Sequence, residues 1–204
     1  PKLFPEQVAY IINHAEDKIL FVDVLVMPLL EALKEHLSKV ETIVVLTTKG
    51  NMPETTLLHV VCYEELLAAQ SDVYDWPQFD ENTASGMCYT SGTTGNPKGV
   101  VYSHRSTVLH ALGGALPDVT RASNMETSLP VVPMFHANAW GLALSAPAAG
   151  SKIVNPGPNM DGESIYQLLT DEAVTFTAAV PTVWLMLRQH MEGVPSKHMT
   201  TPPH

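Results

Sequence analysis

Cysteine is scarce in this chain, and its 2 cysteines, Cys62 and Cys88, form no C-x-x-C pair. That excludes a disulfide scaffold and a cysteine-rich zinc site, and makes a reducing, cytoplasmic compartment the simplest expectation. Positive charge is scarce too: Lys and Arg number 11 against 21 Asp and Glu, a formal net charge of −10. Such a balance lacks the electrostatic footprint of a nucleic-acid binder. Long hydrophobic runs are missing. The greasiest, Ile19 to Leu30, holds Asp23 and Pro28 and falls short of the ~20 apolar residues of a spanning helix, so no transmembrane segment is expected. No H-E-x-x-H occurs, and His104 and His110 are six apart, the wrong spacing for two ligands on one helix face.

What is present is enough apolar material for a sizeable core, 45% of 204 residues. Helical and strand patterns alternate, the mark of a doubly wound α/β fold with a mainly parallel sheet flanked by helices. Pro5–His14 reads as a helix and Ile19–Val22 as a short strand. A single amphipathic helix is expected to carry Leu29, Leu30, Leu33, Leu37 and Val40 on one face. Thr42–Leu46 reads as a strand, Lys49–Pro53 as a turn and Tyr63–Ala69 as a short helix. An acidic, aromatic-dotted loop follows over Ser71–Thr83. Met87–Tyr89 and Val100–Tyr102 read as buried strands, and Ser103 as the cap of a helix over His104–Leu116, with Gly113 and Gly114 weakening it or admitting a close neighbour. Strands over Glu126–Val132, Lys152–Val154 and Val174–Ala178 alternate with helices over Trp140–Ala149, Gly162–Thr170 and from Pro181 onward. From Gly193 on, the Pro-rich tail reads as unstructured.

Between the two central strands lies Tyr89-Thr90-Ser91-Gly92-Thr93-Thr94-Gly95-Asn96-Pro97-Lys98-Gly99-Val100. Unobstructed backbone N–H groups, hydroxyls and one lysine can converge there on phosphate oxygens. Better-known loops do not fit. Lys98 stands between Pro97 and Gly99, against the Walker pattern; the glycines at 86, 92, 95 and 99 miss the dinucleotide spacing; Ser91 lacks the glycine of a nucleophile elbow two residues before it. A plain surface turn would use the same residue types but needs no strands on both sides. Lys98, His104 and Arg105 add a local basic spot suited to a nucleotide.

This loop resembles the signature of the adenylate-forming, AMP-binding superfamily, which includes acyl-CoA synthetases, luciferases and peptide-synthetase adenylation domains. Val131-Val132-Pro133-Met134-Phe135-His136-Ala137-Asn138-Ala139-Trp140-Gly141 is similar to its Pro-x-Phe-His segment, in the form of the medium- and long-chain fatty acyl-CoA synthetases. Val180-Pro181-Thr182-Val183-Trp184 is similar to a helix start after a core strand, and Leu3–His14 looks like the same fatty-acyl branch. The resemblance covers about residues 3–191. It implies that residues 1–192 are part of the large amino-terminal domain and 193–204 a tail. The family's Gly-x-Thr-Glu motif, hinge and small carboxy-terminal domain with its catalytic lysine are absent, and Pro1 in place of an initiator Met implies a missing amino terminus.

The chemistry implied is attack of a carboxylate, most simply a fatty acid, on the α-phosphate of ATP, giving acyl-adenylate and pyrophosphate, then displacement of AMP by coenzyme A. By resemblance Thr90 would serve magnesium or phosphate, Ser91, Gly92, Thr93, Thr94 and Gly95 would cradle the β- and γ-phosphates, and Lys98 would supply positive charge. His136 would lie beside the carboxylate and α-phosphate; from the residue alone it reads as a core histidine. Ala137 and Trp140 would face the acyl chain, Trp140 as a gate; by default an indole fills core or cleft. Phe135 reads as packing and the 9 methionines as adaptable filler. Ser123-Asn124-Met125-Glu126 and Ala137 depart from the common pattern, which leaves chain length open. The competing readings are an aryl-CoA ligase, an amino-acid adenylation domain, or an inactive truncated nucleotide-binding module. A homodimer is left open.

Overall fold

Pro5 stands at the first turn of α1 (Pro5–Ala15), where its missing N–H costs nothing, and the Gln7 side chain accepts from the Phe4 N–H at 3.2 Å. The helix ends where Glu16 turns left-handed, its N–H donating back to the last carbonyls. Ala9 and Ile12 are the inward face. This computed structural model describes residues 3–90 and 95–193. They divide into two compact units, Pro1–Phe79 with Tyr89–Val100, and Asp80–Cys88 with Val101–His204.

In the first unit β1 (Ile19–Val22), β2 (Thr42–Val45) and β3 (Val60–Cys62) form a parallel sheet in the order β1-β2-β3. The central strand is the most buried: Ile43, Val44 and Val45 are at most 3% exposed. A β-branched central strand of a parallel sheet reads as a continuous apolar run for this reason. The expected long amphipathic helix is instead a 3-10 turn at Val24–Val26, α2 (Met27–Ala32) and a second 3-10 turn at Lys34–His36. Leu33 leaves helical torsions at φ −96°, ψ 4°. Tertiary bonds then replace the helical ladder: the His36 carbonyl accepts from Asn13 Nδ2 at 2.8 Å, and Lys34 Nζ donates to the Thr56 carbonyl at 3.0 Å. The apolar spacing still works, because Leu30, Leu33 and Leu37 all reach the core. β3 was not legible in the sequence; α3 (Tyr63–Ala68) follows it.

β4 (Ala84–Thr90) and β5 (Lys98–Ser103) pair as a two-stranded sheet. Both were expected to be buried, yet Met87, Val100 and Val101 are 41–59% exposed. Among the described residues this two-stranded ribbon has no third strand to bury its apolar positions. Ser103 caps α4 (His104–Gly114), accepting from Ser106 N–H at 3.1 Å while Ser106 Oγ accepts from Ser103 N–H. Gly114 ends that helix close against Ser145, whose Cβ is 3.7 Å from where a Cβ on Gly114 would lie.

The second unit holds another parallel sheet, in the order β7-β6-β8: β6 is Thr127–Pro130, β7 Lys152–Ile153 and β8 Phe176–Ala178. The expected helix over Trp140–Ala149 is split at Gly141 into α5 (Ala137–Trp140) and α6 (Leu142–Ala149). α7 (Gly162–Asp171) is capped by Asp161 and buries Ile165 against α8 (Pro181–Gly193). Gly162 permits their approach: a Cβ there would sit 2.3 Å from the Met186 carbonyl oxygen. α8 extends through Gly193, and the rest of the predicted tail lies outside the described residues. Among the described residues no helix is long and apolar enough to cross a membrane.

Candidate functional site

Thr90 closes β4 and Lys98 opens β5, so the candidate phosphate loop is slung between paired strands. Lys98 is therefore a strand residue rather than a loop residue. Ser91, Gly92, Thr93 and Thr94 lie outside the described residues. Gly95 takes φ +98°, a torsion an L-residue adopts only with strain, and open space surrounds it: nothing lies within 4 Å of where a Cβ would be. Thr90, Gly95 and Lys98 are exposed, while Pro97 is buried and tethers the loop's return. No ion pair among the described residues engages Lys98, whereas Arg105 of the expected basic spot is held by Glu81 at 2.5 Å. Among the described residues the connection thus offers the Thr90 hydroxyl, the Lys98 cation without an ion pair and the open backbone at Gly95, a donor set for an anion.

The second block begins from the core and ends at the surface. Leu129, Val131 and Val132 are at most 4% exposed; His136 then emerges exposed, in extended torsions at φ −99°, ψ 99°. Its N–H donates to the Pro133 carbonyl at 3.0 Å. His136 and Phe135, read by default as core and packing residues, are thus exposed among the described residues, Phe135 at 69%. Ala137, Asn138, Ala139 and Trp140 follow with φ of 46°, 52°, 51° and 58°, and Gly141 with 83°. This is one turn of left-handed helix, closed by the Gly141 N–H donating to the Ala137 carbonyl at 3.1 Å. Left-handed torsions cost an L-residue about 1–2 kcal/mol each, so the surroundings must hold the turn in place. Ala139 is 0% exposed and packs with Val132 and Leu142. His110 Nε2 lies 3.4 Å from the Trp140 carbonyl, and Cys88 Sγ points to Asn138 Oδ1 at 3.8 Å. With Ala139 turned inward, Ala137 and Trp140 face outward, Trp140 being 49% exposed. Among the described residues the indole is thus about half exposed.

Thr90, Gly95 and Lys98 belong to the first unit, and His136, Ala137 and Trp140 to the second. Sequence reasoning passed over three residues that touch these elements: His14, which meets Tyr89, and Asn138 and His110, which brace the left-handed turn. An Asn three residues before a Gly was the one local signal for that turn, since Asn tolerates left-handed torsions.

Comparison with known proteins identifies the family. The model of the AMP-binding enzyme family matches residues 1–201. A medium-chain-fatty-acid–CoA ligase of Ectopseudomonas oleovorans is 46% identical over 98% of the chain, and a long-chain-fatty-acid–CoA ligase of Thermus thermophilus 50% identical over 95%. A 3-methylmercaptopropionyl-CoA ligase of Ruegeria pomeroyi is 47% identical over 90%. The chain spans 34–37% of the length of these relatives. Among solved structures, an anthranilate CoA ligase in complex with anthranoyl-AMP matches 90% of the chain and 34% of its own at a TM-score of 0.77 and 22% identity. A long-chain-fatty-acid–CoA ligase from Archaeoglobus fulgidus matches 95% and 35% at 0.74 and 23%. At such identities the structures speak to the fold alone, which is that of adenylate-forming ligases. By the match of its family model over almost its whole length, and by relatives near 50% identity, the chain belongs to the AMP-binding enzyme family.

Proposed function

We propose that this chain is the phosphate-gripping and acid-facing part of an ATP-dependent fatty acid–CoA ligase. The observation that carries the reading is the Thr90-to-Lys98 connection, with an exposed hydroxyl at one end, an exposed lysine at the other and an open glycine turn between. The family assignment and the names of the medium- and long-chain relatives support it. Residues 1–192 are read as part of a large nucleotide-binding domain. The exposed apolar faces of β4, β5 and α4 are then covered by the rest of that domain in a protein as long as the relatives.

The obstacle to the reaction is charge, because a carboxylate must approach the α-phosphate of a polyanion. Donors fixed beforehand offset that repulsion more effectively than reorganising water. Backbone N–H groups of residues 91–95 and the hydroxyls of Thr90, Ser91, Thr93 and Thr94 cradle the β- and γ-phosphates, and Lys98 follows the charge that develops on the leaving pyrophosphate. His136 donates a hydrogen bond to the acid or the α-phosphate. Ala137 and Trp140 line the acyl end, where the exposed indole acts as a movable wall. Magnesium supplies charge neutralisation on the phosphates when bound. Thr90 would be this chain's contribution to holding it, its hydroxyl being a hard oxygen ligand of the kind that cation takes. The CoA thiol then takes the acyl group and AMP leaves. The reading includes a cytoplasmic protein, in keeping with two free thiols.

A second acid class has its own support, the Ruegeria relative whose name gives a short thioether acid. The test is pyrophosphate release by the full-length protein with ATP, magnesium and coenzyme A against a panel of acids: butanoate to hexadecanoate, 3-methylthiopropanoate, benzoate, anthranilate and amino acids. Turnover greatest with C6–C16 acids supports the fatty-acid reading. Preference for the thioether, aryl or amino acids replaces it, and no turnover with any acid leaves an inactive nucleotide-binding module.

A further inference from the structure

The last turn of α1 meets the entrance to the phosphate loop. Tyr10 and His14, four residues apart, share a face of the helix and stack with ring centroids 5.2 Å apart at 26°. His14 in turn meets Tyr89, the residue before Thr90. Their rings lie edge-on at 84° and 5.8 Å, and a hydrogen bond of 2.6 Å joins His14 Nδ1 to the Tyr89 hydroxyl. The contact spans 75 residues of sequence, so it is a tertiary choice and not a consequence of local geometry.

The histidine is well placed to hold something. Ala9 and Ile12 root the helix in the core, and Asn13 Nδ2 donates at 2.8 Å both to the Ala9 carbonyl and to the His36 carbonyl, locking the turn that carries His14. Tyr10 fixes the plane of the imidazole from one side. Burial, with Tyr10 and Asp17 nearby as further acidic groups, pushes the Tyr89 phenol above its ordinary range. It stays protonated at neutral pH, so its hydroxyl is available to donate to His14 Nδ1. On a strand, neighbouring side chains point to opposite faces. Fixing the Tyr89 ring therefore fixes the rotation of the strand end and, on the other face, the direction of the Thr90 hydroxyl.

We propose that His14 is a positioning residue for ATP: through its hydrogen bond to Tyr89 it sets the orientation of Thr90 at the end of the strand. This rests on the reading of the Thr90-to-Lys98 loop as the phosphate site. Small displacements of a binding group are costly in rate, and this contact opposes them from outside the site.

The test uses the full-length protein, with the acid that turns over best in the panel above and pyrophosphate release as the readout. His14→Phe keeps the stack on Tyr10 and removes the polar atom; Tyr89→Phe removes a single oxygen; His14→Asn can put its amide oxygen, an acceptor for the Tyr89 hydroxyl, close to the position of Nδ1. His14→Phe and Tyr89→Phe should each raise KM for ATP about three- to tenfold, the range of one lost neutral hydrogen bond. KM for the acid at saturating ATP should not change. The double variant should be no worse than either single one, and His14→Asn should recover most of the loss. Lys98→Ala separates the two claims. If it raises KM for ATP while both phenylalanine variants leave KM unchanged, the phosphate site stands and the positioning role is overturned. If Lys98→Ala has no effect on ATP, the phosphate reading and this proposal fall together. Equal losses for ATP and acid, or additive losses in the double variant, would also overturn it, as would failure of His14→Asn to restore ATP binding.

Discussion

Gly141→Ala tests the left-handed turn that presents Ala137 and Trp140. Gly141 has φ +83°, and an added Cβ would lie 2.3 Å from His110 Nε2 and 2.6 Å from Cδ2. The torsion costs an alanine about 1–2 kcal/mol. The imidazole must also swing away, losing its weak contact to the Trp140 carbonyl and leaving its preferred rotamer, for about 1 kcal/mol more. A gain of about 0.4–1 kcal/mol from the stiffer unfolded chain offsets part of this. The expected net loss is about 2 kcal/mol. In a His110→Ala background the ring is gone and only the backbone cost remains, so the loss should shrink by about 1 kcal/mol, a coupling a double-mutant cycle resolves. Urea unfolding of the full-length protein and its three variants, followed through tryptophan fluorescence, measures the four corners of the cycle. Full stability in Gly141→Ala, or an equal loss in both backgrounds, would mean that the chain does not turn left-handed beside His110.

Gly162→Ala should cost about 1–3 kcal/mol, because the clash is with the backbone carbonyl of Met186 and α7 and α8 must move apart; an unchanged urea midpoint would contradict their close approach. The Glu31 carboxylate accepts hydrogen bonds from the Thr55 and Thr56 hydroxyls and the Thr56 N–H, which hold its pKa down at about 2 against an ordinary 4.5. A depressed acid stabilises the fold above its unfolded pKa and stops doing so as pH falls through the folded value. Stability should therefore drop between about pH 4.5 and 2, and Glu31→Gln should flatten that part of the profile; parallel acid-unfolding curves for the two proteins would refute the assignment. Lys98→Ala and Thr90→Ala in the full-length protein should each lower kcat/KM for ATP about tenfold to a hundredfold, the value of a hydrogen bond to a charged group, with the urea midpoint unchanged.

The elements legible in the sequence were those with one dominant local signal. Pro5 and Pro181 opened helices, Ser103 capped one, and the β-branched Thr42–Val45 formed the buried central strand. Where tertiary contacts outweighed local pattern, expectation and structure part. The leucine spacing from 29 to 40 fits one helix equally well as two short turns, and the bonds of Asn13 and Thr56 to its backbone and lysine chose the latter. β3 is only three residues long and acquires strand geometry by pairing with β2. The candidate loop was visible as a motif, and its strand frame was expected correctly. The left-handed turn was not, because Ala137, Ala139 and Trp140 carry no preference for such torsions and are held there by Val132, Leu142 and His110. The link from His14 to Tyr89 lies beyond any reading of spacing.

The central claim is that the connection from Thr90 to Lys98 grips the pyrophosphate end of ATP. A crystal structure of the full-length protein with magnesium and α,β-methylene-ATP tests it most directly. The expected result is β- and γ-phosphate oxygens within about 3 Å of the Thr90 hydroxyl, the Lys98 ammonium and the backbone N–H groups of the loop. A triphosphate bound elsewhere, with that loop facing only water, would contradict it.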